Sequence, residues 1–210
     1  NQDNRLFCLN IKDGSMLWDL RTISSFIKSQ NFLSLAVSNQ GDVVSINSSG
    51  DLMKTRGNNG SVSWSLNTTT SILADSTDFF KSSGIVIKND NIFFSTSSSF
   101  FSYNLNNGII NWEINVDSSG LPIISGKNIF FVTENGYLII MNVDTGEIIS
   151  SNNILKILKK KKQKTKITGF IMGSSKIYST TLNGYLIISS ATSGKVENFK
   201  KIGNPVTSAP

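Results

Sequence analysis

The sequence predicts an all-β fold built from repeated four-stranded antiparallel sheets. Three observations predict it. The composition suits half-buried strands joined by polar turns, a glycine-centred pattern recurs at five places, and a tryptophan stands four residues after three of those glycines. Hydrophobic residues make up 39% of the 210 residues and charged residues 16%, with Ser, Asn, Ile and Thr prominent. Such a mixture disfavours long helices and fits short pleated strands with one polar face.

The repeat is centred on Gly14, Gly60, Gly108, Gly146 and Gly194, spaced by 38 to 48 residues, a period that accommodates four short strands and their turns. Each glycine follows a turn-former, as in Asp13-Gly14, Asn59-Gly60, Asn107-Gly108, Thr145-Gly146 and Ser193-Gly194. Glycine takes positive φ without steric cost, so these pairs predict a tight hairpin between the last two strands of each unit. A second turn lies ten residues earlier, at Gly50, Gly136 and Gly184; Asn4, which also tolerates positive φ, holds that place in the first unit and Ser98 in the third. It introduces a third strand such as Tyr137 to Ile140 or Tyr185 to Ile188.

The second strands read as Val43 to Ile46, Ile92 to Ser95, Ile129 to Val132 and Ile177 to Thr180. Innermost strands are expected around Leu33 to Val37, Ile85 to Ile87, Leu121 to Ile124 and Phe170 to Met172. Each unit is therefore a four-stranded meander, and stacked meanders of this period predict a β-propeller. Units are expected at about 1–20, 31–66, 84–114, 120–150 and 167–200, with 203–210 opening a further one, all within a single partial domain of four to five blades. The chain begins at Asn1 without an initiator Met, so it reads as an excerpt of a longer protein with more blades.

All three tryptophans, Trp18, Trp64 and Trp112, occupy one equivalent position on the outer strand, where a large ring can dock across to the next blade. Ser150 and Asn198 replace the ring in the last two units, so weaker contacts are expected there. Phe100 and Phe101 adjoin at a strand start, and packing on both faces of the sheet accounts for the pair. Phe79 and Phe80 follow a long polar stretch, and either an exposed apolar contact patch or a simple anchor explains them. Cys8 is expected to be a buried structural thiol. Asp13, Asp42 and Asp144 fall in turns, where carboxylates cap backbone amides.

The net charge of +6 is local, because Lys156, Lys159, Lys160, Lys161, Lys162, Lys164 and Lys166 crowd one stretch and leave the rest close to neutral. This stretch reads as an insertion between blades. A solvated loop that keeps neighbouring edges apart explains it, and so does contact of Lys159 to Lys162 with an anionic surface; nucleic acid is not expected. With no histidine and one cysteine, the chain lacks a His-based triad, the usual zinc sites and an internal disulfide. No catalytic residues, cofactor or metal site are expected.

The run Leu9-Asn10-Ile11-Lys12-Asp13-Gly14-Ser15-Met16-Leu17-Trp18, with its echoes at Asn107-Gly108 to Trp112 and Asp144-Thr145-Gly146, resembles the tryptophan-docking repeat of quinoprotein-like propellers. Two branches of that superfamily bear on function. The quinone-dependent (PQQ) dehydrogenases hold cofactor and Ca²⁺ in a central funnel, often beside a vicinal disulfide; one cysteine excludes the disulfide, and no acidic cluster suited to Ca²⁺ is present. The outer-membrane assembly lipoproteins of the BamB type fit better. That resemblance implies a non-catalytic, periplasmic, membrane-attached scaffold without a small-molecule substrate, binding the periplasmic domain of the barrel-assembly insertase. It maps the partner-binding loops onto Phe26, Ile27 and Lys28 and onto Asp75, Asp78, Phe79, Phe80 and Lys81. In the second loop the carboxylates are shifted in register from the family pattern.

Overall fold

The computed structural model describes residues 4–22, 34–68, 80–118, 120–159 and 164–203. The described strands are β1 (Arg5–Leu9), β2 (Met16–Arg21), β3 (Leu35–Val37), β4 (Val43–Ile46), β5 (Asp51–Thr55), β6 (Val62–Asn67), β7 (Val86–Lys88), β8 (Asn91–Ser95), β9 (Phe100–Asn104), β10 (Ile110–Ile114), β11 (Ile123–Ser125), β12 (Asn128–Val132), β13 (Tyr137–Asn142), β14 (Ile148–Asn153), β15 (Ile167–Gly173), β16 (Lys176–Thr181), β17 (Tyr185–Ser190) and β18 (Val196–Lys201). They form one two-stranded sheet, β1-β2, and four four-stranded meanders, β3 to β6, β7 to β10, β11 to β14 and β15 to β18. By compactness the chain divides into two units, residues 1–97 with 101–111 and residues 98–100 with 112–210.

In the first unit, Val44, Ile46, Leu52, Ile92, Phe94 and Phe101 form the centre of a buried apolar cluster, with Trp64, Leu66 and Phe80 packed on it. Phe94 stacks on Phe101 and Tyr103 at centroid distances of 5.5 and 6.0 Å. The second unit has its own cluster around Phe130, Val132, Leu138, Ile140, Ile177 and Ile187. There Phe100 stacks on Phe131 and Trp112 at 4.6 and 6.0 Å. Adjacent Phe100 and Phe101 thus pack against different partners, Phe101 in the first unit's cluster and Phe100 on Phe131 and Trp112, because successive strand residues point to opposite faces.

Burial peaks in the two middle strands of each meander and falls toward both the innermost and the outer strand. In β8 and β12 four consecutive residues are buried, which places apolar packing on both faces. In β2 and β6 only alternate residues are half-buried, among them Trp18, Leu20, Trp64 and Leu66. An outer strand therefore presents one packing face and one wet face.

A shared hydrogen bond fixes the equivalence of the units. The amide of Thr22 donates to Asn4 O, Thr68 to Gly50 O, Ile154 to Gly136 O and Ile202 to Gly184 O. Asn4 adopts φ 56°, the left-handed conformation that its short amide side chain tolerates. Its amide group donates to Ser48 Oγ at 2.7 Å and accepts from the Ser48 amide at 3.1 Å, clamping β1 to the turn before β5.

The glycine pairs close tight hairpins, and each reversal begins at the residue four before the glycine. Gly14 donates to Asn10 O and Asn10 donates to Ser15 O, and the same pair of bonds recurs at Arg56, Asn104, Asn142 and Ser190. The reversal starts earlier than the glycine because Asn10, Asn104 and Asn142 accept, through Oδ1, the amide two residues on. Register shifts at Cys8/Leu9, Lys54/Thr55, Ile140/Met141 and Ile188/Ser189 absorb the extra residue as bulges.

Three further features differ from the sequence reading. Cys8 is half-buried rather than buried, because β1 belongs to a sheet of only two strands. Asp42 lies in a turn where its amide donates to Ser38 Oγ, and its carboxylate pairs with the buried Lys54 ammonium at 2.9 Å. Between β14 and the lysine-rich stretch stands a 3₁₀ turn, Ile154–Ile157, which Asn153 caps by accepting the Leu155 amide at 3.1 Å.

Gly14 and Gly60 separate two roles of the repeat glycine. Both are left-handed, at φ 72° and 74°, yet a Cβ at Gly14 meets open space while one at Gly60 would stand 2.8 Å from the Trp18 ring. Gly14→Ala is expected to lose only the backbone preference, about 1–2 kcal/mol. Gly60→Ala is expected to lose at least about 1 kcal/mol more, because the ring must shift. Urea unfolding of the two variants compares the roles directly, and equal losses would show that the ring does not require the glycine.

Candidate protein-interaction surface

The tryptophan contacts are built alike. Trp18 lies over Gly60 and donates from Nε1 to Gly57 O at 2.8 Å. Trp64 lies over Gly108 and donates to Leu105 O at 3.0 Å; Trp112 lies over Gly146 and donates to Val143 O at 3.2 Å. In each case the acceptor is the carbonyl three residues before the glycine, so the ring face and its N–H read one turn conformation together. Leu66 and Ile114, two residues further along the same strand faces, close on Gly108 and Gly146.

Where Ser150 replaces the ring, the contact becomes polar. Ser150 Oγ donates to Ser193 O at 2.8 Å, and Asn152 Nδ2 donates to the same carbonyl at 3.1 Å and to Ser150 Oγ at 2.7 Å. A Cβ at Gly194 would stand 2.9 Å from Asn152 Nδ2, so this glycine too is closely covered. Asn198, the corresponding residue of β18, is exposed.

The loops expected to grip a partner follow β2 and β6. Phe26, Ile27, Lys28, Asp75, Asp78 and Phe79 lie outside the described residues, as do Lys160, Lys161 and Lys162. Phe80 and Lys81 are described. Phe80 is half-buried and packs on the apolar cluster of the first unit, the anchor reading of its aromatic pair, while Lys81 is exposed. The bridge between Ser82 and Thr96 and the Ser83 amide bond to Ser95 O hold this segment beside β8. Lys159, Lys164 and Lys166 are exposed at the two ends of the lysine-rich stretch. The Leu182 amide donates to Lys166 O and ties its far end to the sheet.

The local electrostatics are those of surface turns. Asp13 is held below the usual carboxylate range, first by the Ser15 amide and then by its hydroxyl. Lys176 is raised by its hydrogen bond to Glu197, at 3.0 Å, and by that carboxylate's charge. Sequence reasoning missed the Asp42–Lys54 pair, although a lysine beside Leu52 and Met53 in a middle strand was its available signal. Among the described residues no group of three or more His, Cys, Asp or Glu could hold a metal ion.

The half-buried Trp64 ring sets the size of the docking term. Trp64→Ala is expected to cost about 2–3 kcal/mol, below the ~3–5 kcal/mol of a fully enclosed ring. Trp64→Phe keeps most of the apolar contact but orphans Leu105 O, for a loss of about 1 kcal/mol. Chemical denaturation of both variants checks the order, and a Phe variant as unstable as the Ala variant would contradict it.

Comparisons with known proteins follow the same geometry. The crystal structure of BamB from Moraxella catarrhalis superposes with a TM-score of 0.66 at 16% identity, covering 93% of this chain and 55% of that one. A computationally designed protein, Ika8, superposes with a TM-score of 0.72 at 12% identity, covering 99% of this chain and 59% of that one. The β-propeller domain of Cps50 (Swd1) from Myceliophteria thermophila gives 0.65 at 12% identity, with coverages of 88% and 59%. The chain thus spans less than two thirds of each of these structures, and the likeness establishes a β-propeller fold with only part of a propeller present. No curated protein matches the sequence. The family model described as outer membrane protein assembly factor BamB matches residues 1–152. With nearly three quarters of its length matched by that model and its sheets repeating the propeller meander, the chain belongs to the BamB family of PQQ-repeat β-propellers.

Proposed function

We propose that this chain is part of a non-catalytic scaffold that binds protein partners during assembly of β-barrel proteins into the outer membrane. The family match over residues 1–152 carries this reading. Repeated sheets joined by tight turns support it, because they suit a frame that presents loops to a partner. The proposed partner is the periplasmic domain of the barrel-assembly insertase, and the proposed location is the periplasmic face of the outer membrane, reached through a lipid anchor on the parent protein.

The gripping surface is assigned to two loops. Phe26 and Ile27 would supply apolar contact and Lys28 a charge, while Asp75 and Asp78 would meet basic groups of the partner, with Phe79, Phe80 and Lys81 at their border. Aromatic and charged anchors of this kind concentrate binding energy in few residues. In the described structure Phe80 braces the base of the second loop and Lys81 faces outward.

A pulldown of the full-length protein with the insertase's periplasmic domain tests the reading. Replacing Phe26, Ile27 and Lys28 together with alanine is expected to weaken capture by roughly tenfold or more. Undiminished capture by that variant would remove the first loop from the surface. Failure of the unaltered protein to capture the domain would remove the proposed partner.

A further inference from the structure

The second unit contains a cleft of about 460 Å³ beside the polar junction of Ser150 and Asn152, outside the proposed partner loops. It lies where β13, β14, the 3₁₀ turn and the start of β18 meet. Its polar lining consists of Tyr137, Ser151, Asn152, Asn153, Lys156 and Lys195. The two lysines come from separate elements, Lys156 from the 3₁₀ turn and Lys195 from the β17–β18 hairpin, and both are exposed. No carboxylate lines the cleft; Glu197, close in sequence, is paired with Lys176 at 3.0 Å.

Two exposed lysines lining one concavity, with the Tyr137 and Ser151 hydroxyls in the same lining, suit a small, multiply charged oxyanion. Lysines bind phosphate as point charges and the two hydroxyls supply neutral donors, while the Asn152 and Asn153 side chains are engaged within the fold. The cleft's size falls within the range of small-ligand sites and exceeds what a bare phosphate fills, leaving room for a short polar substituent. Exposed Lys159, Lys164 and Lys166 flank the same connection, so the positive field extends beyond the cleft and would draw anions toward it.

We propose that this cleft binds a phosphate ester, with Lys156 and Lys195 as its cationic contacts. Both a phospholipid headgroup and a soluble phosphate ester carry this chemistry. The site is independent of the partner-binding loops, so its test does not depend on them.

The test uses the full-length protein and a variant with Lys156→Ala and Lys195→Ala, both at exposed positions that leave the sheets intact; Lys195→Gln alone is the second variant. Glycerol phosphate binding is measured by calorimetry, and cosedimentation is measured with phosphatidylcholine vesicles with and without phosphatidylglycerol. The unaltered protein is expected to bind glycerol phosphate, with the double variant roughly tenfold weaker and Lys195→Gln intermediate. A matching loss of sedimentation with the anionic vesicles identifies the headgroup as the source, and unchanged sedimentation identifies a soluble ester. Equal binding of glycerol phosphate by the unaltered protein and the variants, or no binding by any, overturns the proposal, including the case in which vesicle binding depends only on Lys159 to Lys162.

Discussion

An indole ring lying on a left-handed glycine of the next unit is the contact on which the rest of this structure depends. The glycine is needed twice, since its φ closes the hairpin and its missing Cβ admits the ring. The indole N–H then bonds a carbonyl of the same turn, so apolar contact and hydrogen bond select one relative position of two sheets. A meander alone leaves the apolar residues on both faces of its middle strands uncovered. Repeating the dock supplies the neighbours that bury those faces.

The fourth junction shows how the arrangement tolerates loss of the ring. Ser150 and Asn152 bond the Ser193 carbonyl, where the other junctions use an indole and a different carbonyl of the turn. Gly194 keeps its left-handed conformation and its close cover. Nearby, the 3₁₀ turn fits Leu155 against Gly136, where a Cβ would stand 2.4 Å from Leu155 Cδ1. The chain's chief departure from its own repeat is thus also where the lysine-rich segment and the anion-suited cleft are found.

Much of the fold could be read from residue types alone because its determinants are local. Positive φ at Asn4 and at the paired glycines follows from residue chemistry, and the strands follow from short apolar runs between those turns. What escaped the reading depends on pairing across strands. The Lys54–Asp42 ion pair joins residues of β5 and the turn before β4, and the exposure of Cys8 depends on how many strands its sheet contains. The hairpins lie where the glycine pairs indicate, while the side-chain turns by which Asn10, Asn104 and Asn142 begin the reversal needed the structure. For the candidate surface, Lys156 was visible only as one of many lysines; its meeting with Lys195 needed the packing of the 3₁₀ turn near β18.

Function in this architecture lies in what the repeats leave free, since the docks consume the outer-strand face and the middle strands are buried. The connections between units are the parts able to differ without disturbing the frame; they carry the proposed partner surface, and one of them supplies Lys156 to the cleft. The frame itself is tested most directly by a double-mutant cycle on Trp64→Ala and Gly108→Ala, with unfolding free energy as the readout. If the ring and the glycine form one contact, Gly108→Ala costs about 1–2 kcal/mol in the absence of Trp64, the backbone preference alone, and clearly more in its presence. Losses that add, with the glycine substitution costing the same whether or not the ring is there, would contradict the account.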